Sequence, residues 1–309
     1  MVLADLYPEF NLRYSGDTDI FVQEKDKEKV TSLLYRLGYE KKEDHSKNKV
    51  HVFVSHKMNH IIEIHYSLWE DYEGKRIDIL NQLQLTETES LIDLEVCKLK
   101  LTTLGHNQHF IYQMFHIIKH FITDSISIRY LVDITLFVNK YEDRIDMKYF
   151  WESMNKLGYT KFCMNFLNLC VKYLNMSSTI LLDKTYEEDG TEEVLLLDII
   201  HKGVLYENKT SPWQILGIMT PYLVGEENVP VTGLKRKVKV LFPAAKALPE
   251  KYSYAKNNKI LLPIAWIHKI FDFILRFRTY NKLYKDWYNP MEKLEVADYR
   301  LQLIKKLDL

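Results

Sequence analysis

Short apolar runs mark the first part of the chain, and long helical stripes mark the rest. Ile20-Phe21-Val22, β-branched and aromatic, predicts a strand over Asp17–Val22. Val30, Leu33, Leu34 and Leu37 recur at i, i+3, i+4, i+7. That spacing predicts a helix from an Asp26 N-cap to about Leu37, stopped by Gly38. Val50–Ser55 and His60–Tyr66 read as an antiparallel hairpin across the polar turn His56-Lys-Met-Asn59. From about residue 88 the pattern turns helical almost throughout. Phe110–Ile122, Arg129–Asn139, Met147–Leu157 and Thr160–Leu174 each show an apolar face, with a break at Asp124-Ser-Ile-Ser127. The acidic cluster Glu187–Glu193 reads as a surface loop. The basic segment 232–259, with Pro243 and Pro249, reads as an irregular arm wrapping the helices. The fold class expected is α+β. A small mixed sheet occupies residues 1–95, and a larger, mostly α-helical domain follows over 96–309.

Composition narrows the partners. The 309 residues carry 42 basic and 42 acidic side chains, a formal net charge of zero. Broad electrostatic capture of nucleic acid relies on a basic footprint, so a nucleic-acid partner is not expected. Cys97, Cys163 and Cys170 show no metal spacing and read as free thiols, which suits a reducing cytoplasm. The most apolar stretch, Ile260–Leu275, is broken by His268, Lys269 and Asp272 and is too short to span a bilayer. A cytoplasmic protein with no transmembrane segment is expected.

Candidate chemistry sits at Ser15-Gly16-Asp17-Thr18-Asp19. Residues two apart on a strand share a face, so both carboxylates project together, about 7 Å apart at Cα. Two hard oxygen ligands suit Mg²⁺, which is usually held by one or two carboxylates plus substrate phosphates. Glu63 lies mid-strand among apolar neighbours in His60-Ile-Ile-Glu-Ile-His-Tyr66, out of character for an ordinary strand. Paired beside the Asp17/Asp19 strand, it completes a metal-binding triad.

Other polar residues leave alternatives open. His116 and His120 stand at i, i+4 on one helix face, but a zinc-protease motif needs Glu where Ile117 stands. Lys119 and His120 either face the cleft, toward a triphosphate or acceptor, or make local surface contacts. Arg129 and Asp133, also i, i+4, read as a helical ion pair. Arg13 neutralises phosphate charge, orients the acidic strand or is solvated. His65 positions Glu63 or the acceptor, or is structural. The run Lys235-Arg-Lys-Val-Lys239 reads as a solvated face or as a contact for an anionic acceptor or a membrane surface.

The Ser-Gly-Asp-x-Asp core resembles the acidic motif of the DNA polymerase β-like nucleotidyltransferase superfamily. With Tyr7-Pro8, Arg13 and Glu63-Ile-His65, it is similar to an uncharacterised bacterial nucleotidyltransferase family. His116-Ile-Ile-Lys-His120, Arg129 and Asp133 resemble that family's helical signature, and Leu241-Phe242-Pro243 with Leu262-Pro263 its C-terminal pattern. The resemblance implies Mg²⁺-dependent transfer of an NMP from an NTP such as ATP to an unidentified small-molecule or protein acceptor, releasing pyrophosphate. It implies two Mg²⁺ ions on Asp17, Asp19 and Glu63, about 3.5–4 Å apart, with Glu63 as a candidate general base. Arg13, Ser15, Gly16, His65, Lys119 and His120 would bind nucleotide or acceptor. Members of the family carry a Lys-Gly pair just before the acidic strand. The opening Met1–Pro8 resembles the residues that follow that pair, so a chain lacking the Lys-Gly segment is expected, through truncation or divergence. Divergence implies the alternative of an inactive binding or regulatory module on the same fold.

Overall fold

The computed structural model describes residues 3–9, 12–13, 15–42, 49–69, 76–123, 126–182, 189–205, 242, 245, 248, 252–269, 271 and 302–309. Strands β1 (Thr18–Phe21), β2 (Glu40–Lys41), β3 (Val50–Ser55) and β4 (His60–His65) form one mixed sheet in the order β1-β4-β3-β2. β1 runs parallel to β4, while β3 is antiparallel to both of its neighbours. One face is covered by helix α2 (Lys27–Arg36), and Leu34, Tyr39, Phe53, Ile62 and Ile64 close a small core there. Alternation along β4 turns Glu63 and His65 to the opposite face.

The predicted helix forms over Lys27–Arg36, and Gly38 takes the left-handed conformation just past its end (φ +82); Asp26, expected as its N-cap, lies in a preceding 3-10 turn and makes no side-chain cap. Its stripe is only half buried: Leu34 and Val30 reach the core, while Leu33 and Leu37 are exposed. The strand at the acidic motif starts at Thr18, one residue later than expected, and Asp17 stands just before it.

After a short helix α3 (Arg76–Gln82), a second sheet overturns the expectation of helix from residue 88. β5 (Leu91–Val96) and β6 (Leu99–Leu104) pair antiparallel with Val96 opposite Leu99. Cys97 and Lys98 both take positive φ (50° and 65°), as a two-residue hairpin turn of right-handed twist demands. Asn-Gly usually signals such a turn, and Cys-Lys gives no such signal.

The helical part supplies the main core. α4 (His106–Thr123), α5 (Ile128–Tyr141), α6 (Met147–Leu157) and α7 (Thr160–Leu174) bury a continuous cluster that includes Phe110, Phe121, Phe137, Phe150, Phe162 and Phe166. α6 is capped at both ends: the Asp146 carboxylate accepts the Tyr149 N–H at 2.9 Å, and Gly158 takes φ +77. The acidic loop expected over 187–193 is partly helix, since α8 (Thr191–Leu205) begins inside it. Glu192 is buried there against Asn168 and Lys172, which a solvated loop would not provide. Most of the expected arm, 232–251, lies outside the described residues. Ser253–Asn257 within it is helical.

The N-terminal segment is fastened along α5. Helix α1 (Leu3–Leu6) sets Asp5 against Lys140 (2.8 Å) and Tyr141. Further on, the Tyr7 hydroxyl donates to Asp133 Oδ1 at 2.6 Å, and Arg13 pairs with the same carboxylate. Asp133 therefore pairs across the fold instead of with Arg129 one turn earlier. Among the described residues, no helix is long and apolar enough to cross a membrane.

Candidate active site

Parallel pairing of β1 with β4 sets Asp19 directly opposite Glu63. Phe21 stands opposite His65 in the same register. Adjacent strands lie roughly 4.8 Å apart, so the two carboxylates stand side by side on one face. His65 joins them. Its Nε2 lies 2.9 Å from Asp19 Oδ1 and 3.7 Å from Glu63 Oε2. One ligand atom from each of Asp19, Glu63 and His65 falls within a 4.8 Å group. Asp17, expected in the triad, lies outside this tightest group, yet its charge still acts on Glu63. In the lead-in, the Ser15 hydroxyl donates to the Asp17 carbonyl at 2.8 Å, and nothing crowds Gly16.

The electrostatics separate the three carboxylates. Burial, then the negative charge of Asp19, pushes the Asp17 carboxyl up. Burial, then the charges of Asp19 and Asp17, does the same to Glu63. Burial acts upward on Asp19 too, but the hydrogen bond and charge of His65 outweigh it and hold that carboxyl below its usual range. An ionised carboxylate only accepts, so His65 Nε2 carries the shared proton. The group is a cluster of like charge with one member fixed in its ionised form.

α4 faces this cluster. Its buried face is mostly apolar but includes His109 and Gln113, whereas Tyr112, His116, Lys119 and His120 are only half-buried. The His116 and His120 rings meet edge to face with centroids 4.4 Å apart, and Tyr130 of α5 follows at 6.0 Å from His120. Burial, then the charges of His120 and Lys119, pushes His116 down to about 3. Burial, then Lys119, pushes His120 down to about 4. Both are neutral imidazoles near pH 7, and the Asp19 carboxylate is close enough to act on each. Burial, then Asp17, pushes the Tyr130 hydroxyl up to about 12. Arg13 is committed to Asp133, with two of its nitrogens within 3.1 Å of the carboxylate. Of the residues named from sequence, Asp17, Asp19, Glu63, His65, Lys119 and His120 thus lie close enough to act on one another's charge. Tyr130 was not anticipated, because its contribution depends on how α5 packs.

Fold and site define an α+β protein with a strand-borne acidic cluster opposed by a histidine- and lysine-bearing helix. Residues 1–175 match the model of a family described as uncharacterised nucleotidyltransferase, and the chain belongs to that family. No curated protein and no solved structure matches the chain.

Proposed function

We propose that this protein moves a nucleoside monophosphate from an NTP to an acceptor hydroxyl, with Mg²⁺ held by Asp17, Asp19 and Glu63. The observation that carries this reading is the register pair Asp19–Glu63, with Asp17 close by and Lys119 opposite. The donor set fits a divalent cation: clustered carboxylates raise one another's pKa, and a bound cation offsets that repulsion. Bound there, the metal supplies charge stabilisation at the phosphates and lowers the pKa of the acceptor hydroxyl.

The side chains divide the remaining work. Glu63 is made more basic by its neighbours and takes the acceptor proton. The acceptor oxygen bonds to the α-phosphorus while the bond from that phosphorus to the bridging oxygen breaks, and pyrophosphate leaves. Asp19 stays ionised and oriented through His65. Lys119 presents positive charge to the phosphates, and neutral His116 and His120 offer hydrogen bonds without adding repulsion to the acidic wall. The balanced overall charge favours a small molecule or a protein side chain as acceptor over nucleic acid.

Calorimetric titration with each of the four NTPs, with and without Mg²⁺, tests this. Binding that needs Mg²⁺ and disappears in an Asp17→Asn/Asp19→Asn variant supports the proposal. Equal binding by the folded double variant would sink it.

A further inference from the structure

Resting on the nucleotidyl-transfer reading, we propose that His65 is itself a metal ligand, and that the site it forms with Asp19 and Glu63 prefers a first-row divalent ion such as Mn²⁺ over Mg²⁺. Geometry comes first. In an octahedral shell with bonds of about 2.1 Å, neighbouring ligand atoms lie about 3 Å apart. His65 Nε2 is 2.9 Å from Asp19 Oδ1, so these two already have the spacing of adjacent ligands. Glu63 Oε2, at 3.7 Å from the same nitrogen, reaches the third position with a small rotation of a side chain that is still partly exposed. The three ligands come from two adjacent strands in fixed register, not from loops.

Chemistry then selects the ion. Mg²⁺ favours an all-oxygen, water-rich shell, and an imidazole nitrogen adds little to its binding. The same nitrogen strengthens binding of first-row ions, whose affinity for mixed nitrogen and oxygen sites rises along the Irving–Williams series. His65 is 8% exposed and aims its nitrogen at two carboxylates, an arrangement with no use in an oxygen-only shell except to orient Asp19. Coordination uses the lone pair of Nε2, so the ring changes tautomer: the proton now donated to Asp19 leaves Nε2 for solvent and Nδ1 takes one up, keeping the imidazole neutral.

Pulsed electron paramagnetic resonance on the full chain loaded with Mn²⁺, alone and with a non-hydrolysable nucleoside triphosphate, detects nitrogen bound to the ion. Calorimetry with Mn²⁺ and Mg²⁺ runs beside it. The expected result is a ¹⁴N coupling that persists in His116→Gln and vanishes in His65→Gln, with Mn²⁺ bound at least tenfold tighter than Mg²⁺ by the wild type. The preference should collapse in His65→Gln. Mn²⁺ binding with no nitrogen coupling, or with coupling that survives in His65→Gln, would overturn the inference and leave metal-dependent transfer standing. Failure of both ions to bind, with or without nucleotide, would overturn both.

Discussion

Arg13 and Asp133 stand 120 residues apart and meet as a two-pronged ion pair, with side chains 15% and 4% exposed. The pair ties the segment leading into Ser15-Gly16-Asp17 to the middle of α5. Removing Asp133 takes both of these charge-assisted hydrogen bonds from the guanidinium and leaves the Tyr7 hydroxyl without that acceptor. Asp133→Ala is expected to cost about 3 kcal/mol, toward the lower end for a broken buried pair because Arg13 keeps some solvent contact. Arg13→Ala/Asp133→Ala should cost less than the two single changes added together, by about 1–3 kcal/mol. Urea unfolding of the four proteins measures this. A midpoint for Asp133→Ala within the scatter of ordinary surface changes would show that the pair does not hold the segment.

The acidic cluster predicts opposite effects on activity and stability. Asp17→Asn, Asp19→Asn and Glu63→Gln should each lower nucleotidyl transfer by about 10² or more, since each removes charge from the proposed metal shell. Stability should divide them. Asp17 and Glu63 have raised carboxyl pKa values, so the fold disfavours their charged forms at neutral pH. Their neutral variants should melt at or above the wild-type temperature in chelator. Asp19 is lowered by His65, so Asp19→Asn should melt below it. A uniform loss of stability across all three would mean the carboxylates serve folding first.

Much of this site was legible in sequence because strand geometry is local. Asp19 and Glu63 could be placed on strands from period-two patterning, with Asp17 falling one residue short of its strand, and the helix over Lys27–Arg36 from its stripe and Gly38. What was not legible depended on distant packing or on unusual backbone. The Arg13–Asp133 pair is invisible to an i, i+4 rule that offers Arg129 as the partner. The Leu91–Leu104 hairpin turns on Cys97 and Lys98 in a conformation those residue types seldom signal. His65 could be placed beside Glu63, but its bond to Asp19 needs the parallel register of β1 on β4.

Lys119 offers a test of the opposing helix. Its charge acts on Glu63 and contributes to the depression of both His116 and His120. Lys119→Met should weaken triphosphate binding about tenfold, the scale of one charge-assisted contact. It should also raise the titration midpoints of His116 and His120, which NMR of the imidazole protons reads directly. The fold should be little affected, because the side chain is half-buried at the cleft. Unchanged nucleotide affinity together with unchanged histidine titration would place Lys119 away from the cleft.

The two imidazoles also make stability depend on pH, with a definite sign. His116 and His120 titrate at about 3 and about 4 in the folded protein, below the 6.5 of an unperturbed histidine. Below pH 6.5 the unfolded chain takes up protons that the folded protein refuses, so unfolding is favoured as pH falls. Their contribution is complete above pH 6.5 and is lost progressively toward about 4 for His120 and about 3 for His116, at up to roughly 1.4 kcal/mol per unit of pH for each ring. Asp17 and Glu63 act in the opposite sense, because their raised carboxyls take up protons more readily folded than unfolded. Asp17, Glu63 and the other histidines held down by burial, His106 and His109, are shared by the wild type and a His116→Gln/His120→Gln variant, so the difference between the two profiles below pH 6.5 isolates the two rings. Urea unfolding at closely spaced pH values should show stability falling there in the wild type. The slope should flatten in His116→Gln/His120→Gln, whose side chains cannot titrate. Parallel profiles for the two proteins would show that the imidazoles take up protons as freely folded as unfolded, and the neutral histidine wall opposite Asp19 would have to be abandoned.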